Sequence, residues 1–138
     1  RMTTDVDFVS DGHFSGLSNE KRMSIGGFQG KTRRGTQVDV LCGGKYPGLY
    51  DAVLTGSVFE AALGVHVATP EGIMAMKLVA GRGKDEEDIR VMLRLKVPSL
   101  RKTREIIKEH IGVFAVDEFN SYVDEVAWRE AHERKRRR

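Results

Sequence analysis

The apolar pattern of this chain changes period once, at Thr69-Pro70-Glu71, and that switch limits the possible folds more than any other feature. Ahead of it, apolar and polar residues alternate over short runs, as half-buried strands require. Behind it, apolar residues return every three or four positions, as one face of a helix requires. The switch is itself a helix start, with a hydroxyl at the N-cap, proline at the first helical position and a carboxylate at the positive end of the helix dipole. Strands mixed with helices first, and helices alone afterwards, predict a small α+β (α/β-like) domain: a mixed β-sheet flanked by helices, with a helical C-terminal half.

Individual elements follow from the same logic. Asp5-Val6-Asp7-Phe8-Val9 alternates and runs into Ser10-Asp11-Gly12, so it reads as a strand ending in a turn. A short helix is expected over residues 17–23, followed by a glycine-rich stretch from Gly26 to Gly35. A weaker strand near residues 24–29 forms a hairpin with the alternating run Thr36 to Cys42, which stops at Gly43-Gly44. Residues 57–63 read as helical and residues 65–68 as a further strand. After the switch come a helix ending at Gly81 and a second over residues 85–95, closed by Pro98. Two more, with Ser99 and Asp117 as N-caps, run over residues 100–111 and 118–133, with stripes at Leu100, Thr103, Ile106 and Ile107, and at Phe119, Tyr122, Val123 and Val126.

At 138 residues, 40% apolar and 31% charged, the chain has the makings of one soluble domain, with a core over residues 1–95 and C-terminal helices with a basic tail over residues 99–138. It contains no apolar run of membrane-spanning length, and its opening does not resemble a secretory leader, so no membrane partner and a cytoplasmic setting are expected. The lone Cys42 excludes a disulfide framework and a cysteine-based zinc cluster, and His13, His66, His110 and His132 are scattered. The formal net charge is +3, but each of the last five residues, Arg134 to Arg138, is cationic, so the body of the chain is slightly acidic. Such a tail suits a phosphate-rich partner or a solvated end. The chain opens Arg1-Met2-Thr3 and enters a patterned segment at once, which suggests that something upstream has been removed.

Three acidic residues break the strand pattern. Asp5 and Asp7, at i and i+2 of a strand, point the same way with α-carbons roughly 6.5–7 Å apart. Asp39 interrupts Gln37-Val38-Asp39-Val40-Leu41 in the same manner, its carboxylate on the face of Gln37 and Leu41. Aspartate is disfavoured in strands, and residues that break a local rule gather at sites. If the two strands are close in the sheet, three carboxylates converge, as a Mg²⁺ centre for phosphoryl or nucleotidyl transfer requires. The alternative is that Asp-x-Asp merely caps a turn. Lys77 is the second anomaly: with Ile73, Met76 and Ala80 it shares a face of a helix that is apolar nearly all round, so its ammonium either snorkels to water or meets an anion such as a nucleoside triphosphate. The junction Gly81-Arg82-Gly83-Lys84-Asp85-Glu86-Glu87-Asp88 is expected to be structural, with Asp88 meeting Arg82 or Lys84 and Glu86 pairing with Arg90. The stretch Gly26 to Thr32 approaches a P-loop, but that motif needs glycine where Ile25 stands. Cys42 and His66 read as core or edge residues.

Taken together, Arg1-Met2-Thr3-Thr4-Asp5-Val6-Asp7-Phe8, Gln37-Val38-Asp39-Val40-Leu41 and the run from Ala68 to Ile89, with its Pro-Glu, Lys77 and Arg-x-Lys-Asp-x-x-Asp, resemble the nucleotidyltransferase superfamily over roughly residues 1–95. The likeness is to the minimal and abortive-infection type enzymes found as toxins in bacterial toxin–antitoxin pairs. The resemblance implies Mg²⁺-dependent transfer of a nucleoside monophosphate from a nucleoside triphosphate to a hydroxyl on RNA (tRNA included) or protein, and an antitoxin protein as partner. It implies that Asp5, Asp7 and Asp39 bind the metal and carry the catalysis and that Lys77 contacts the triphosphate. Arg82 joins Lys77 in binding the nucleotide, as do Arg1 and Thr3, which match family positions beside the metal-binding strand. Such enzymes also carry a Gly-Ser or Gly-Gly element on a helix upstream of the aspartates, and this chain begins past that position. It is therefore expected to be either a truncated enzyme or a non-catalytic relative that binds RNA or a partner protein.

Overall fold

The alternation of Val38 and Val40 with polar neighbours sends one face of a short strand into a core and leaves the other for charged groups, and the first part of the fold is built on that division. The computed structural model describes residues 5–11, 16–24, 26–42 and 44–136, so Arg1, Thr3, Ile25, Gly43, Arg137 and Arg138 lie outside the described residues. The chain is arranged as two compact units, Arg1–Ser57 and Val58–Arg138, the division falling ahead of the change of period.

The first unit is a four-stranded mixed sheet. Strands β1 (Asp5–Val9), β2 (Ser18–Arg22), β3 (Phe28–Lys31) and β4 (Gln37–Leu41) are followed by helix α1 (Pro47–Thr55). The order across the sheet is β1-β4-β3-β2, with β2, β3 and β4 an antiparallel meander and β4 running parallel to β1. Phe28, Val38 and Val40 are buried together, with Leu17 and Cys42 packed against them, so Cys42 is a core-edge residue. Gly27 has φ +87°, and a side chain there would collide with the Val40 carbonyl oxygen, so the approach to β3 requires glycine. Helix α1 was not expected from the sequence: Tyr46 supplies no capping side chain, yet Pro47 starts the helix and Leu49, Tyr50 and Val53 bury one face.

Three expectations for the first half are corrected. Residues 17–23 contain β2, not a helix. Glu20, Lys21 and Arg22 favour helix in isolation, but Asn19 sits at φ 56° and the backbone pairs with β3. The weak strand near residues 24–29 is displaced to Phe28–Lys31, because the glycines at 26 and 27 make the turn. Residues 57–63 hold strand β5 (Val58–Glu60), whose backbone turns at Glu60–Gly64 to pair with β6 (Val65–Val67); the β-favouring pair Val58-Phe59 prevails over the helical composition around it.

The rest of the second unit is helical: α2 (Pro70–Ala80), α3 (Gly83–Arg94), α4 (Leu100–His110) and α5 (Val113–Arg136). The expected caps of two of them are present. Thr69 Oγ1 accepts from the Gly72 amide at 3.2 Å, Ser99 Oγ accepts from the Lys102 amide, and Gly81 closes α2 in the left-handed conformation at φ 58°. Helix α2 packs on α3 and α4, and α5 packs on both of those, enclosing Met74, Leu78, Ile89, Ile107 and Phe119. The Glu71 carboxylate accepts from the Ser99 amide at 2.8 Å, so one acid at the start of α2 fixes the start of α4. Asp117, the N-cap expected from the sequence, lies inside the helix instead, because α5 begins at Val113, after Gly112 at φ 126°. No helix among the described residues is long and apolar enough to cross a membrane.

Candidate functional site

The parallel pairing of β1 with β4 determines where the three aspartates go. Asp7 is the direct cross-strand partner of Asp39, and Asp5 is opposite Gln37. Adjacent strands run about 4.8 Å apart, so Asp7 and Asp39 stand side by side on the sheet face opposite Val38 and Val40, with Asp5 on the same face two residues away. Two of the three expected acids are thus immediate neighbours. Among the described residues no group of three His, Cys, Asp or Glu side chains stands close enough to hold a metal ion, so the triad is not assembled.

The antiparallel meander extends this face. Gln29 of β3 is the partner of Asp39, and its side-chain Nε2 donates to Asp39 Oδ1 at 2.8 Å. That bond fixes the carboxylate and leaves Oδ2 for a ligand. Lys31 faces Gln37 across the same pair of strands, and Lys21 of β2 faces Gln29. Two rows therefore cross the sheet, each starting at an acid and including a lysine: Asp7, Asp39, Gln29, Lys21 and, beside it, Asp5, Gln37, Lys31, Ser18. The amides and lysines were not singled out from the sequence. The alternation of Phe28-Gln29-Gly30-Lys31 is the signal that would have placed Gln29 and Lys31 on the acidic face.

Carboxylate oxygens are the donors Mg²⁺ prefers, and that ion usually takes one or two carboxylates together with substrate phosphates instead of an all-protein cage. The Asp7–Asp39 pair fits such an ion in its donor chemistry, whereas a three-carboxylate centre is not formed among the described residues.

The other expected residues belong to the second unit, where they are engaged with one another. Lys77 Nζ lies 2.6 Å from Asp88 Oδ2 and 3.4 Å from Asp85 Oδ1. Arg82 Nε closes on Asp85 Oδ2 at 2.5 Å, and its Nη2 reaches Oδ1 at 3.3 Å. The Asp85 side chain is 3% exposed, which makes it the most deeply held charge in this cluster. Burial pushes the Asp85 carboxyl up, but the hydrogen bond and charge of Arg82 and the charge of Lys77 outweigh it and hold the group below the usual carboxylate range. Asp88, for which Arg82 or Lys84 was the expected partner, is met by Lys77 of α2, and that pair ties α2 to α3. Glu86 meets Arg90 at 3.5 Å as expected, and Arg90 also reaches Glu125 of α5 at 3.1 Å. The stretch that approaches a P-loop continues as strand β3, where a P-loop would begin a helix. His66 lies on β6 with its ring 5.4 Å from that of Phe59.

Comparison of the chain with family models, with curated proteins and with solved structures gave no match.

Proposed function

We propose that the protein is a nucleotidyltransferase-fold enzyme that transfers a nucleoside monophosphate from a nucleoside triphosphate to a hydroxyl on RNA or protein, with the polar face of the sheet as its reacting surface. The observation that carries this reading is the register that sets Asp7 against Asp39 on parallel strands. Two carboxylates side by side on one face are a donor set that a divalent cation can share with substrate phosphates. Asp7 and Asp39 would hold Mg²⁺, with Asp5 beside them. Bound there, the ion supplies neutralisation of phosphoryl charge and an acidified hydroxyl nucleophile. Gln29 keeps the Asp39 carboxylate in one orientation through its 2.8 Å hydrogen bond to Oδ1. The toxin role and an antitoxin partner follow from the same resemblance and rest on the same residues.

The test is transfer of label from each α-labelled nucleoside triphosphate, with Mg²⁺, to an RNA pool or to protein. Asp7→Asn and Asp39→Asn should each reduce transfer by about a hundredfold or more, as expected when charge stabilisation at a reacting phosphate is removed. Transfer that is equal in wild type and both variants overturns the assignment, as does wild-type protein that binds neither Mg²⁺ nor nucleotide.

A further inference from the structure

The two rows across the sheet depend on an irregularity in β2. Ser18 is the partner of Lys31 and Lys21 the partner of Gln29, so three steps along β2 match two along β3 and the register shifts between them. Asn19, at φ 56°, lies in the shift, a conformation that asparagine tolerates better than most residues. Regular alternation from Ser18 would set Glu20 opposite Gln29 and turn Lys21 to the apolar face. The extra residue reverses this: it moves a carboxylate out of the row and an ammonium into it. A bulge that re-aims a side chain in this way is a feature of sites.

The result is a polar concavity of about 460 Å³ lined by Lys21, Lys31, Gln29 and Gln37, with Asn19 and Glu20 at its β2 side. Among the described residues, neither Lys21 nor Lys31 makes an ion pair, in contrast to Lys77. Gln29 touches both parts of the face: it lines the concavity and holds Asp39. No aromatic residue shares this face among the paired positions of the sheet, so it offers no platform for base stacking. Two ammonium groups and two amide side chains beside a carboxylate pair suit a compact polyanion whose other end shares a divalent cation with the acids.

The geometry points to Lys21 and Lys31, with Gln29 and Gln37, as the subsite for the polyphosphate of the nucleotide. This deepens the function proposed above and rests on it for the identity of the polyanion, but lysine-dependent binding can be measured apart from metal and chemistry.

The experiment is calorimetric titration of the 138-residue chain with inorganic tripolyphosphate in EDTA, followed by the same titration with a short single-stranded RNA. Wild type should bind tripolyphosphate, and Lys21→Gln/Lys31→Gln should weaken it by about tenfold or more, the loss expected for two charge-assisted contacts at an exposed site. Lys108→Gln, an exposed lysine of α4, serves as the net-charge control and should leave affinity unchanged. Equal binding by wild type and the double lysine variant overturns the subsite, and so does an equal loss in the control. Lysine-dependent RNA binding without tripolyphosphate binding overturns it in favour of a nucleic-acid backbone. Lysine-dependent tripolyphosphate binding in a protein that never transfers nucleotide, with or without Mg²⁺, removes the enzymatic reading and leaves the anion site standing.

Discussion

Both units carry charge that stands out in the sequence, and the two clusters are built differently. On the helices, Lys77 is met from α3 by Asp88 at 2.6 Å and Asp85 at 3.4 Å, and Arg82 closes the other side of Asp85. On the sheet, Asp7 faces Asp39, acid beside acid, and the lysines of β2 and β3 stand one or two strands away. A charge neutralised by its own chain contributes to the architecture. On the sheet the two acids share one face with a basic concavity further along it, a different arrangement of charge from the closed helical cluster. The Lys77 cluster is structural, and the sheet face is where the proposed binding is to be tested, although from sequence alone both read as anomalies of one kind.

Removing the centre of the helical cluster should give the largest effect. Asp85→Asn leaves Lys77 and Arg82 without their shared carboxylate and should cost about 2–3 kcal/mol in urea unfolding followed by helical circular dichroism, less than a fully buried pair because Arg82 is half exposed. The pH dependence has a definite sign. Because the folded carboxyl is held below its ordinary value, its contribution is complete above the usual carboxylate range and is lost as pH falls through the depressed folded value. Wild-type protein should therefore lose stability on acidification below about pH 4, and the Asp85→Asn variant should lose less over that interval. Parallel acid curves for the two proteins would remove Asp85 from the explanation.

Lys77 tests the comparison directly, because the resemblance to nucleotidyltransferases gives it to the triphosphate and the helical cluster gives it to Asp85 and Asp88. Lys77→Met keeps the stem and removes the ammonium. It should lower stability by about 1–2 kcal/mol, the cost of depriving buried and half-buried carboxylates of a donor, and leave tripolyphosphate affinity unchanged. Unchanged stability with weakened nucleotide binding would return Lys77 to the role the resemblance implies.

The sheet should respond with the opposite sign. Asp39→Asn removes one of two like charges on neighbouring strands while its carbonyl still accepts from Gln29, so in metal-free buffer it should stabilise the protein by about 0.5 kcal/mol. Added Mg²⁺ with nucleotide should stabilise wild type and not the variant, a difference that thermal unfolding reads without any turnover. A variant that is less stable than wild type in EDTA would mean that Asp39 serves the fold.

How much of this was legible in the sequence depended on whether the deciding force was local. The caps Thr69, Ser99 and Gly81 were readable because a hydroxyl or a left-handed glycine acts on its own helix end. Strands β1 and β4 were readable from alternation, and with them the shared face of Asp5 and Asp7. Segments whose shape is set by a partner strand were not: β2 carries helix-favouring Glu20, Lys21 and Arg22, and β5 is held by pairing with β6. The same limit applies to the site. That Asp39 differs from its neighbours is visible in Gln37-Val38-Asp39-Val40, but that it meets Asp7 depends on β4 returning parallel to β1, and the arrival of Lys21 on their face depends on one extra residue in β2. Asp85 was legible as a first-turn acid, whereas its burial required knowing how α3 lies on α2.

The basic end of the chain gives the smallest expected effect and the last test of the contrast. Arg134, Lys135 and Arg136 form the final turn of α5, where cations complement the negative end of the helix dipole, and Arg134 lies 3.9 Å from Glu130. If charge in the helical unit is resolved within the chain, this turn follows the rule. Deleting residues 134–138 should then cost no more than about 0.5 kcal/mol of stability and leave tripolyphosphate binding as it was. The alternative reading, a non-catalytic module that holds RNA by its tail, makes the opposite prediction: RNA binding that falls steeply with salt and disappears with the deletion, in a protein whose Lys21→Gln/Lys31→Gln variant binds RNA normally. That result would move the outward-facing charge from the sheet to the helical unit and reverse the assignment drawn from the two clusters.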